Sequence, residues 1–312
     1  MVGPRSSIII GTRGSRLALW QAEFIQAKIQ ALAPHLTVTL QVIKTSGDKI
    51  LDVPLAKIGG KGLFVKEIEE ALLAKNIDLA VHSMKDVPSD LPKGLALLSF
   101  PKREDPRDAL LSRTGLMLQD LPKGSRIGTS SLRRQSQLLR VRPDFSIQML
   151  RGNLDTRLRK LDEGEYDAIV LAAAGLKRLG WADRITEYLS PEVCLPAIGQ
   201  GALGLEGRDD DPQVKDLLLQ LDDPETRKAV AAERKFLDRL EGGCQVPIAG
   251  LSTIVGTELT LDGLVAGVDG TQIIRDTVHG ALDEGEALGH QLAERIIEAG
   301  GKEILDEIYG RT

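Results

Sequence analysis

Short β-branched runs alternate with helical patterns through the first part of this chain. Residues 7–10, 37–44 and 78–82 have the composition of buried strands, whereas residues 15–33 and 64–75 repeat apolar side chains at helical spacing. Strands and helices that alternate in this way build a sheet covered by helices. The first series therefore predicts an α/β domain with a largely parallel sheet.

The same alternation starts again after a stretch rich in proline and charge, residues 100–108. Strand patterns at residue 127, at 146–150 and at 167–171 enclose two helical patterns. The second series therefore predicts a second α/β domain, built like the first.

From about residue 212 the pattern changes. Two helical segments reach Leu240, three β-like runs follow through His279, and a closing helix carries apolar residues on one face. This order, helices followed by strands, predicts a small third domain of the α+β class.

Composition limits the possible classes of protein. A chain of 312 residues that is 42% hydrophobic and 27% charged can form two or three globular domains. Its apolar runs are shorter than the roughly 18 residues of a membrane span, so we expect a cytoplasmic protein. Two cysteines are too few for a disulfide framework, and the four histidines show no zinc-binding spacing, so we expect no metal.

The net charge of −5 disfavours a general nucleic-acid-binding protein, yet one region is basic. Residues 126–159 contain eight arginines, two acidic residues and no lysine. Guanidinium groups bind carboxylates and phosphates through two parallel hydrogen bonds. The cluster therefore indicates an anion-binding region, although a solvated helix face is the alternative.

Two segments, residues 11–15 and 128–131, run from a strand into a helix and are rich in glycine and hydroxyl groups. Free backbone N–H groups and the positive end of a helix favour anions at such places. Ser15 and Ser130 have the alternative role of helix caps. Because neither segment fits a Walker A loop or the G-x-G-x-x-G pattern, nucleotide phosphates are poorly supported.

Residues 82–88 follow a strand whose carboxyl end is the usual ligand-binding edge of an α/β domain. Asp86 is then a candidate catalytic carboxylate with Lys85 beside it, and a plain turn aspartate is the alternative.

A glycine-flanked turn in residues 241–247 carries Cys244, and such a turn can project the thiol outward. Burial is the more usual role of a cysteine, and the apolar neighbours of Cys194 predict that role for this second thiol.

At these residues the chain resembles the porphobilinogen deaminase family, from Ile10 to beyond Ala249. The resemblance is carried by Gly-Thr-Arg-Gly-Ser (11–15), Thr-Ser-Gly-Asp (45–48), Gly-Gly-Lys-Gly-Leu-Phe (59–64), His-Ser-Met-Lys-Asp-Val-Pro (82–88), Arg-Glu-Asp-Pro-Arg-Asp (103–108), Gly-Thr-Ser-Ser-Leu-Arg-Arg (128–134), Arg-Gly-Asn (151–153), Leu-Pro-Ala-Ile-Gly-Gln-Gly (195–201) and Glu-Gly-Gly-Cys (241–244).

The resemblance implies a covalent dipyrromethane cofactor on Cys244 and a central catalytic role for Asp86. It also implies a flexible active-site loop that contains Lys57, Lys61 and Phe64, within the glycine-rich segment 45–63. The positions expected to bind the acidic side chains of cofactor and substrate are Arg13, Ser15, Ser83, Lys85, Thr129, Ser130, Ser131, Arg133, Arg134, Arg151, Arg157 and Arg178.

The fold that the resemblance implies is α/β with three domains. The first two are expected to resemble the two lobes of type II periplasmic binding proteins around a cleft, and the third to be a small α+β domain. The expected boundaries are residues 1–101 with about 202–219 for domain 1, 102–201 for domain 2 and 220–312 for domain 3.

The implied activity is that of a transferase of tetrapyrrole biosynthesis. It joins four porphobilinogen molecules head to tail with loss of ammonia and then releases the linear tetrapyrrole hydroxymethylbilane. The implied partners are the substrate porphobilinogen and a downstream cyclising enzyme that receives the product. We expect a monomer that binds neither nucleic acid nor a membrane.

Two other classes of protein compete with this interpretation. A two-lobed binding protein for a polycarboxylate or an oxyanion would suit the arginines, but it gives Cys244 no role. An RNA-binding regulator would need aromatic side chains for base stacking, and aromatic residues make up only 3% of the chain.

Overall fold

The computed structural model describes residues 5–49, 64–242 and 246–310. These residues form two compact units: residues 5–49, 64–103 and 202–227 belong to unit 1, and the others belong to unit 2. Among the described helices, none has both the length and the apolar composition that a membrane span requires.

The helices and strands are, in chain order, β1 (Ser7–Thr12), α1 (Arg16–Leu32), β2 (Thr37–Val42), α2 (Ser46–Lys49), α3 (Lys66–Leu73), β3 (Leu79–Ser83), β4 (Leu95–Ser99), β5 (Asp108–Ser112), β6 (Arg126–Gly128), α4 (Leu132–Val141), β7 (Ser146–Gln148), α5 (Leu154–Asp162), β8 (Ala168–Ala172), α6 (Ala173–Arg178), β9 (Glu187–Tyr188), β10 (Leu203–Arg208), α7 (Pro212–Leu219), α8 (Pro224–Arg239), β11 (Ile248–Val255), β12 (Glu258–Ala266), β13 (Ile273–Ala281), α9 (Gly285–Ile296) and α10 (Lys302–Tyr309).

Unit 1 is built on one five-stranded sheet with the order β2-β1-β3-β10-β4. On one face, Ile25 and Ile29 of α1 pack on the sheet together with α7. On the other face, Ile68 and Leu72 of α3 form a second apolar layer. The sheet thus carries helices on both faces, as the strand and helix alternation predicts.

The sheet of unit 1 is largely parallel, as the sequence predicts, because four of its five strands run in the same direction and β10 is reversed. β1 runs parallel to β2 and β3, whereas β10 runs antiparallel to both β3 and β4. β10 begins more than a hundred residues after the end of β4. It nevertheless lies between β3 and β4, which are close to each other in sequence. Local periodicity carries no signal for such an insertion.

Unit 2 contains two sheets. The first has the order β7-β6-β8-β5-β9, with β6 parallel to β7 and β8, and with β5 antiparallel to β8 and β9. The second is the antiparallel sheet β11-β12-β13. Against it lies α9, which buries Leu288, Leu292 and Ile296 as its apolar face predicts. The mixed α/β class with a small third sheet is confirmed, whereas the three domain boundaries stay predictions.

Candidate functional site

Asp86 lies where β3 of unit 1 leaves the sheet. The chain turns through one 3-10 turn, Met84–Asp86, in which the Val87 N–H donates to the Met84 carbonyl at 3.2 Å. Lys85 and Asp86 are both half-buried, while Met84 between the strand and the two charged residues is buried. The turn therefore places an acidic and a basic residue at consecutive positions after the end of a strand, as the sequence predicts.

Ser15 is the N-cap of α1, and its hydroxyl accepts a hydrogen bond from the Ala18 N–H at 3.3 Å. A capping hydroxyl still has its own proton to donate, so capping and anion binding are compatible at this residue. The guanidinium of Arg13 stacks over the ring of Phe64, 4.2 Å from the ring centroid. Phe64 is the one described member of the predicted loop set, because Lys57 and Lys61 lie outside the described residues.

In unit 2 the hydroxyl groups of the segment between β6 and α4 form hydrogen bonds with the protein backbone. Ser131 is the N-cap of α4, accepting from the Arg134 N–H at 3.4 Å, and the Thr129 hydroxyl accepts from the Ser131 N–H at 3.2 Å. Ser130 donates its hydroxyl proton to the Leu150 carbonyl at 2.7 Å, so the alternative role of a helix cap is wrong for Ser130. Since Thr129 and Ser131 accept N–H bonds here, their own hydroxyl protons can still be donated.

Arg133 and Arg134 are buried, and both pair with Asp108 at the start of β5. Arg133 donates to one carboxylate oxygen at 2.7 Å, and Arg134 donates twice to the other, at 3.0 and 2.7 Å. Asp108 has no exposed surface. The structure therefore gives both arginines a carboxylate partner from within the protein.

Further polar groups complete the surroundings of Asp108. Gln200 donates to it at 2.9 Å, and the Cys194 thiol lies 3.3 Å from its second oxygen. Burial alone would raise the pKa of Asp108, but the two guanidiniums hold it well below its usual range. Burial, together with the Asp108 charge, raises the pKa of the Cys194 thiol to about 12. Cys194 is therefore a buried, unreactive thiol, as its apolar sequence context predicts.

Sequence reasoning missed Asp108 as a partner of the arginine pair. The residue stands at the end of the Arg-Glu-Asp-Pro-Arg-Asp stretch, where its charge reads as part of a polar linker. The only available signal is that Asp108 begins a run of apolar strand residues, which is unusual for an unpaired carboxylate.

The other three arginines of the predicted binding set in unit 2 have different surroundings. Arg151 and Arg157 are half-buried, and Arg157 donates its Nε proton to the Gly152 carbonyl at 2.9 Å. Arg178 donates to the Gly201 carbonyl at 2.7 Å. Desolvation lowers the pKa of Arg178 to about 10, against the opposing effect of the Glu104 charge, so the guanidinium is still charged at neutral pH.

Glu104 is itself committed elsewhere, because it forms an ion pair with Lys177. Burial alone would raise the pKa of Glu104, yet the hydrogen bond and charge of Lys177 lower it. Arg178 is therefore a desolvated cation whose direct hydrogen bond goes to a carbonyl, which is a suitable position for an incoming carboxylate.

Ser83 lies in unit 1 at the end of β3, where its hydroxyl accepts a hydrogen bond from Gln21 of α1 at 3.0 Å. Cys244, the predicted attachment residue, lies outside the described residues. The described site residues thus fall into two sets, one around the Asp86 turn of unit 1 and one around the α4 and α6 helices of unit 2.

Two family models match the chain. Residues 8–216 match the model described as porphobilinogen deaminase, dipyromethane cofactor binding domain, and residues 227–298 match the model described as porphobilinogen deaminase, C-terminal domain. The chain is 58% identical to the porphobilinogen deaminase of Syntrophobacter fumaroxidans, covering 97% of this chain and 98% of that protein. It is 60% identical to the porphobilinogen deaminase of Syntrophotalea carbinolica, covering 96% and 95% respectively.

Among solved structures, the chain is similar to a Salmonella typhimurium periplasmic binding protein with high arginine specificity. The identity is 16%, the TM-score is 0.40, and the match covers 70% of this chain and 92% of that one. It is also similar to the periplasmic aliphatic sulphonate binding protein of Escherichia coli, with 14% identity, a TM-score of 0.39 and coverage of 76% and 71%.

Proposed function

Because this chain belongs to the porphobilinogen deaminase family, we propose that Asp86 is the carboxylate that drives its reaction. The enzyme is a transferase that condenses four porphobilinogen molecules head to tail with loss of ammonia, and then releases hydroxymethylbilane by hydrolysis. The observation that carries the proposal for Asp86 is its place on a half-buried turn at the end of β3, beside Lys85.

The cofactor is a dipyrromethane, and the charges of unit 2 suit it. Each of its two rings carries an acetate and a propionate group, so it brings several carboxylates into the protein. Arg178 is a desolvated guanidinium with a carbonyl as its direct partner, and Thr129 and Ser131 stand at the N-terminus of α4 with hydroxyl protons to donate. These donor types fit a polycarboxylate.

We propose that Arg151, Arg157 and Arg178 bind these carboxylates in unit 2, with Thr129, Ser130 and Ser131. In unit 1, Arg13, Ser15, Ser83 and Lys85 have the same role, and Lys57, Lys61 and Phe64 belong to a flexible loop. Arg133 and Arg134 have two roles. Both guanidiniums bind Asp108, and their remaining N–H groups bind carboxylates of the ligand.

When bound, the dipyrromethane supplies the electron-rich α-carbon that attacks the substrate. Loss of ammonia from porphobilinogen leaves positive charge that extends to the pyrrole nitrogen. An ionised Asp86 stabilises this charge through its carboxylate oxygens, and the same oxygens then accept the proton that leaves the α-carbon. The neighbouring Lys85 binds a substrate carboxylate.

Replacement of Asp86 by Asn tests this role. The amide keeps the shape of the side chain but has no negative charge, so we expect turnover to fall by roughly a hundredfold or more with an unchanged melting temperature. Asp90→Asn, which removes a carboxylate four residues further along, is the matched control and should turn over normally. Near-normal turnover of the Asp86 variant would refute the assignment.

Cys244 is proposed as the cofactor attachment residue through a thioether. Intact-mass spectrometry should find an excess of two pyrrole units on the purified protein and none on Cys244→Ser. Cys194→Ser, which alters the chain's other cysteine, should keep the excess. If the mass excess stayed on the Cys244 variant, the attachment would be at another residue.

We further propose that the enzyme is a cytoplasmic monomer, and that hydroxymethylbilane passes to a downstream cyclising enzyme. The linear product supports the last step, since a linear tetrapyrrole needs ring closure before it can become a porphyrin. Light scattering after size-exclusion chromatography tests the monomer, which should have a mass near 33.8 kDa.

A further inference from the structure

Two polar residues end β3 and point to opposite faces of the unit 1 sheet. Leu79 and Val81 pack in the apolar layer with α1, whereas Ala80 packs in the layer with α3. The alternation of a strand therefore directs Ser83 toward α1 and His82 toward α3. These residues immediately precede the turn that carries Asp86, so their contacts fix the starting point of that turn.

On the α1 face, Gln21 donates to the Ser83 hydroxyl at 3.0 Å, and Gln21 is itself buried. On the α3 face, His82 Nε2 lies 2.8 Å from a carboxylate oxygen of Glu206 on β10. Both His82 and Glu206 are buried, and Glu206 has no exposed surface. The end of β3 is thus attached to its neighbours by one polar contact on each face.

Among the described residues, the Glu206 carboxylate forms its one side-chain hydrogen bond with His82. Its other oxygen, Oε1, is buried and has no hydrogen-bond partner among the described residues. A buried carboxylate with only one partner destabilises the fold unless that partner is retained. The position of Glu206 is therefore hard to explain by stability alone.

The backbone transmits this attachment to Asp86. The Met84 N–H donates to the Ala202 carbonyl at 3.0 Å, which continues the pairing of β3 with β10 into the turn. Gly204 pairs with His82 and lies so close to the Met84 side chain that a Cβ on it would overlap the sulfur. From Met84 the single 3-10 turn ends at Asp86, only four residues from His82.

We propose that Glu206 is a positioning residue for Asp86, and that it acts by holding His82 and with it the end of β3. This inference rests on the proposed catalytic role of Asp86. A displacement of a reacting group by about 1 Å can slow an enzyme by roughly a hundredfold, so a residue that fixes the turn affects the rate without touching the substrate.

Three substitutions of Glu206 test the proposal in the full-length protein. Glu206→Gln keeps an oxygen that accepts the His82 N–H, so kcat should stay within about threefold of wild type. Glu206→Leu removes the acceptor and should lower kcat by roughly ten- to hundredfold with KM within about twofold. Glu206→Asp draws the carboxylate back by one methylene and should give an intermediate kcat.

Intact mass and melting temperature are measured on every variant, so that only folded protein with its cofactor enters the comparison. Mass spectra recorded at short times after a limiting dose of porphobilinogen give a second measure, the rate at which the first substrate unit is added. We expect this rate to fall in parallel with kcat, because a displaced Asp86 slows every condensation.

Val38→Ala is the matched control for lost stability. It opens a cavity in the apolar layer of unit 1 that packs against α1, on β2 and away from the end of β3. It should lower the melting temperature and leave kcat unchanged. If Glu206→Leu fails to fold, Glu206→Asp is the deciding variant. A Glu206→Asp protein that is folded, carries its cofactor and has the wild-type kcat overturns the proposal.

The experiment separates this inference from the proposed function. A slow Asp86→Asn enzyme together with a fast, folded and loaded Glu206→Leu enzyme would contradict only the positioning role. A fast Asp86→Asn enzyme would contradict the catalytic role of Asp86 and remove the basis of both.

Discussion

Glu69 places a further ionisable side chain on the α3 face, and its carboxyl group is sensitive to pH. Burial and the negative charge of Glu206 raise its pKa to about 7, although His82 acts in the opposite direction. The helix α3 that carries Glu69 packs against β1, β3, β4 and β10, whose ionisable groups among the described residues are His82, Glu206 and Arg208. Glu69 is therefore still largely protonated when an exposed glutamate is fully ionised.

This shift makes folding depend on pH with a defined sign. As pH rises from about 4.5 to 7, the unfolded chain releases the Glu69 proton while the folded chain retains it, so stability falls over that range. The amide of Glu69→Gln does not ionise, so this contribution to the pH dependence is absent from the variant. We expect urea unfolding to show a variant that is more stable than wild type at pH 8 but not at pH 5.

Glu70→Gln is the control for Glu69, because Glu70 is exposed on the same helix. Its unfolding free energy should stay close to the wild-type pH dependence, because the charge of Glu70 is the smallest of the effects on the pKa of Glu69. Should Glu69→Gln lose the same stability as wild type between pH 5 and 8, another group is responsible for the dependence.

Asp108 makes folding stability depend on pH with the opposite sign. Its pKa is lowered by Arg133 and Arg134 despite full burial, so its stabilising effect is present above pH 4 and is lost as pH falls below that value. Asp108→Asn leaves two buried guanidiniums without their counter-charge, which should cost about 3–5 kcal/mol at pH 7. Denaturant unfolding at pH 7 and pH 3 measures both effects, and the difference between variant and wild type should shrink at the lower pH.

Asp144→Asn is a suitable comparison for Asp108, because it also removes an arginine partner, Arg142, in unit 2. Asp144 is in contact with solvent, and solvated ion pairs contribute little to stability. An equal loss of stability in the two variants would mean that the buried network is not held by Asp108.

The segment that leads into β10 depends on one glycine. Gly201 has φ +86°, and a Cβ on it would overlap the Glu104 carbonyl oxygen. Its own carbonyl accepts hydrogen bonds from the Glu104 N–H and from Arg178. Gly201→Ala should therefore destabilise the protein by more than the roughly 1–2 kcal/mol of a left-handed alanine, and should also raise KM by displacing Arg178.

Gly115→Ala separates the two effects in Gly201→Ala. Gly115 has a similar φ of +75°, but nothing lies within 4 Å of a Cβ built on it. It should show the conformational penalty alone, with an unchanged KM. If both alanine variants gave the same melting temperature and KM, the close approach of Glu104 would have no consequence.

At the level of elements, the sequence predicts those whose pattern is local. α1 has its N-cap at Ser15 and β3 ends within one residue of the predicted position, because periodicity and capping residues are adjacent in the chain. β10 was not predicted, since Leu203–Arg208 contains two glycines and becomes a strand only between β3 and β4. α10 was also missed, because it follows a kink at Gly300 with φ +99°.

In the candidate site, too, the features that depend on nearby residues are predictable and those that depend on distant residues are not. The motif around Asp86 and the cap at Ser15 are readable from the chain, because each depends on neighbours within a few residues. The predicted cap of α4 is wrong by one residue, because Ser131 and not Ser130 precedes the first helical turn. The attachment of Arg133 to Asp108, and of His82 to Glu206, joins residues that are 25 and 124 positions apart. Sequence patterns contain donors and acceptors but do not pair them across such separations.

At the scale of the whole molecule, unit 1 is assembled from segments that are far apart in sequence. The chain leaves unit 1 after Arg103 and returns at Ala202 to supply β10 and α7. The Glu104 N–H donates to the Gly201 carbonyl at 3.2 Å, so the outgoing and returning segments lie next to each other at this point. A direct connection from residue 103 to residue 202 would therefore need only a short linker.

A fragment of residues 1–103 should fail to fold, because β10 separates β3 from β4 and supplies Leu203 and Leu205 to the apolar layer. The same fragment joined to residues 202–227 by about four glycine and serine residues, which span up to roughly 13 Å, should regain a cooperative thermal transition in circular dichroism. Leu205→Asp in the joined fragment is the control and should abolish that transition. A cooperative transition in residues 1–103 alone would show instead that β10 is dispensable and that the mixed sheet forms without its returning strand.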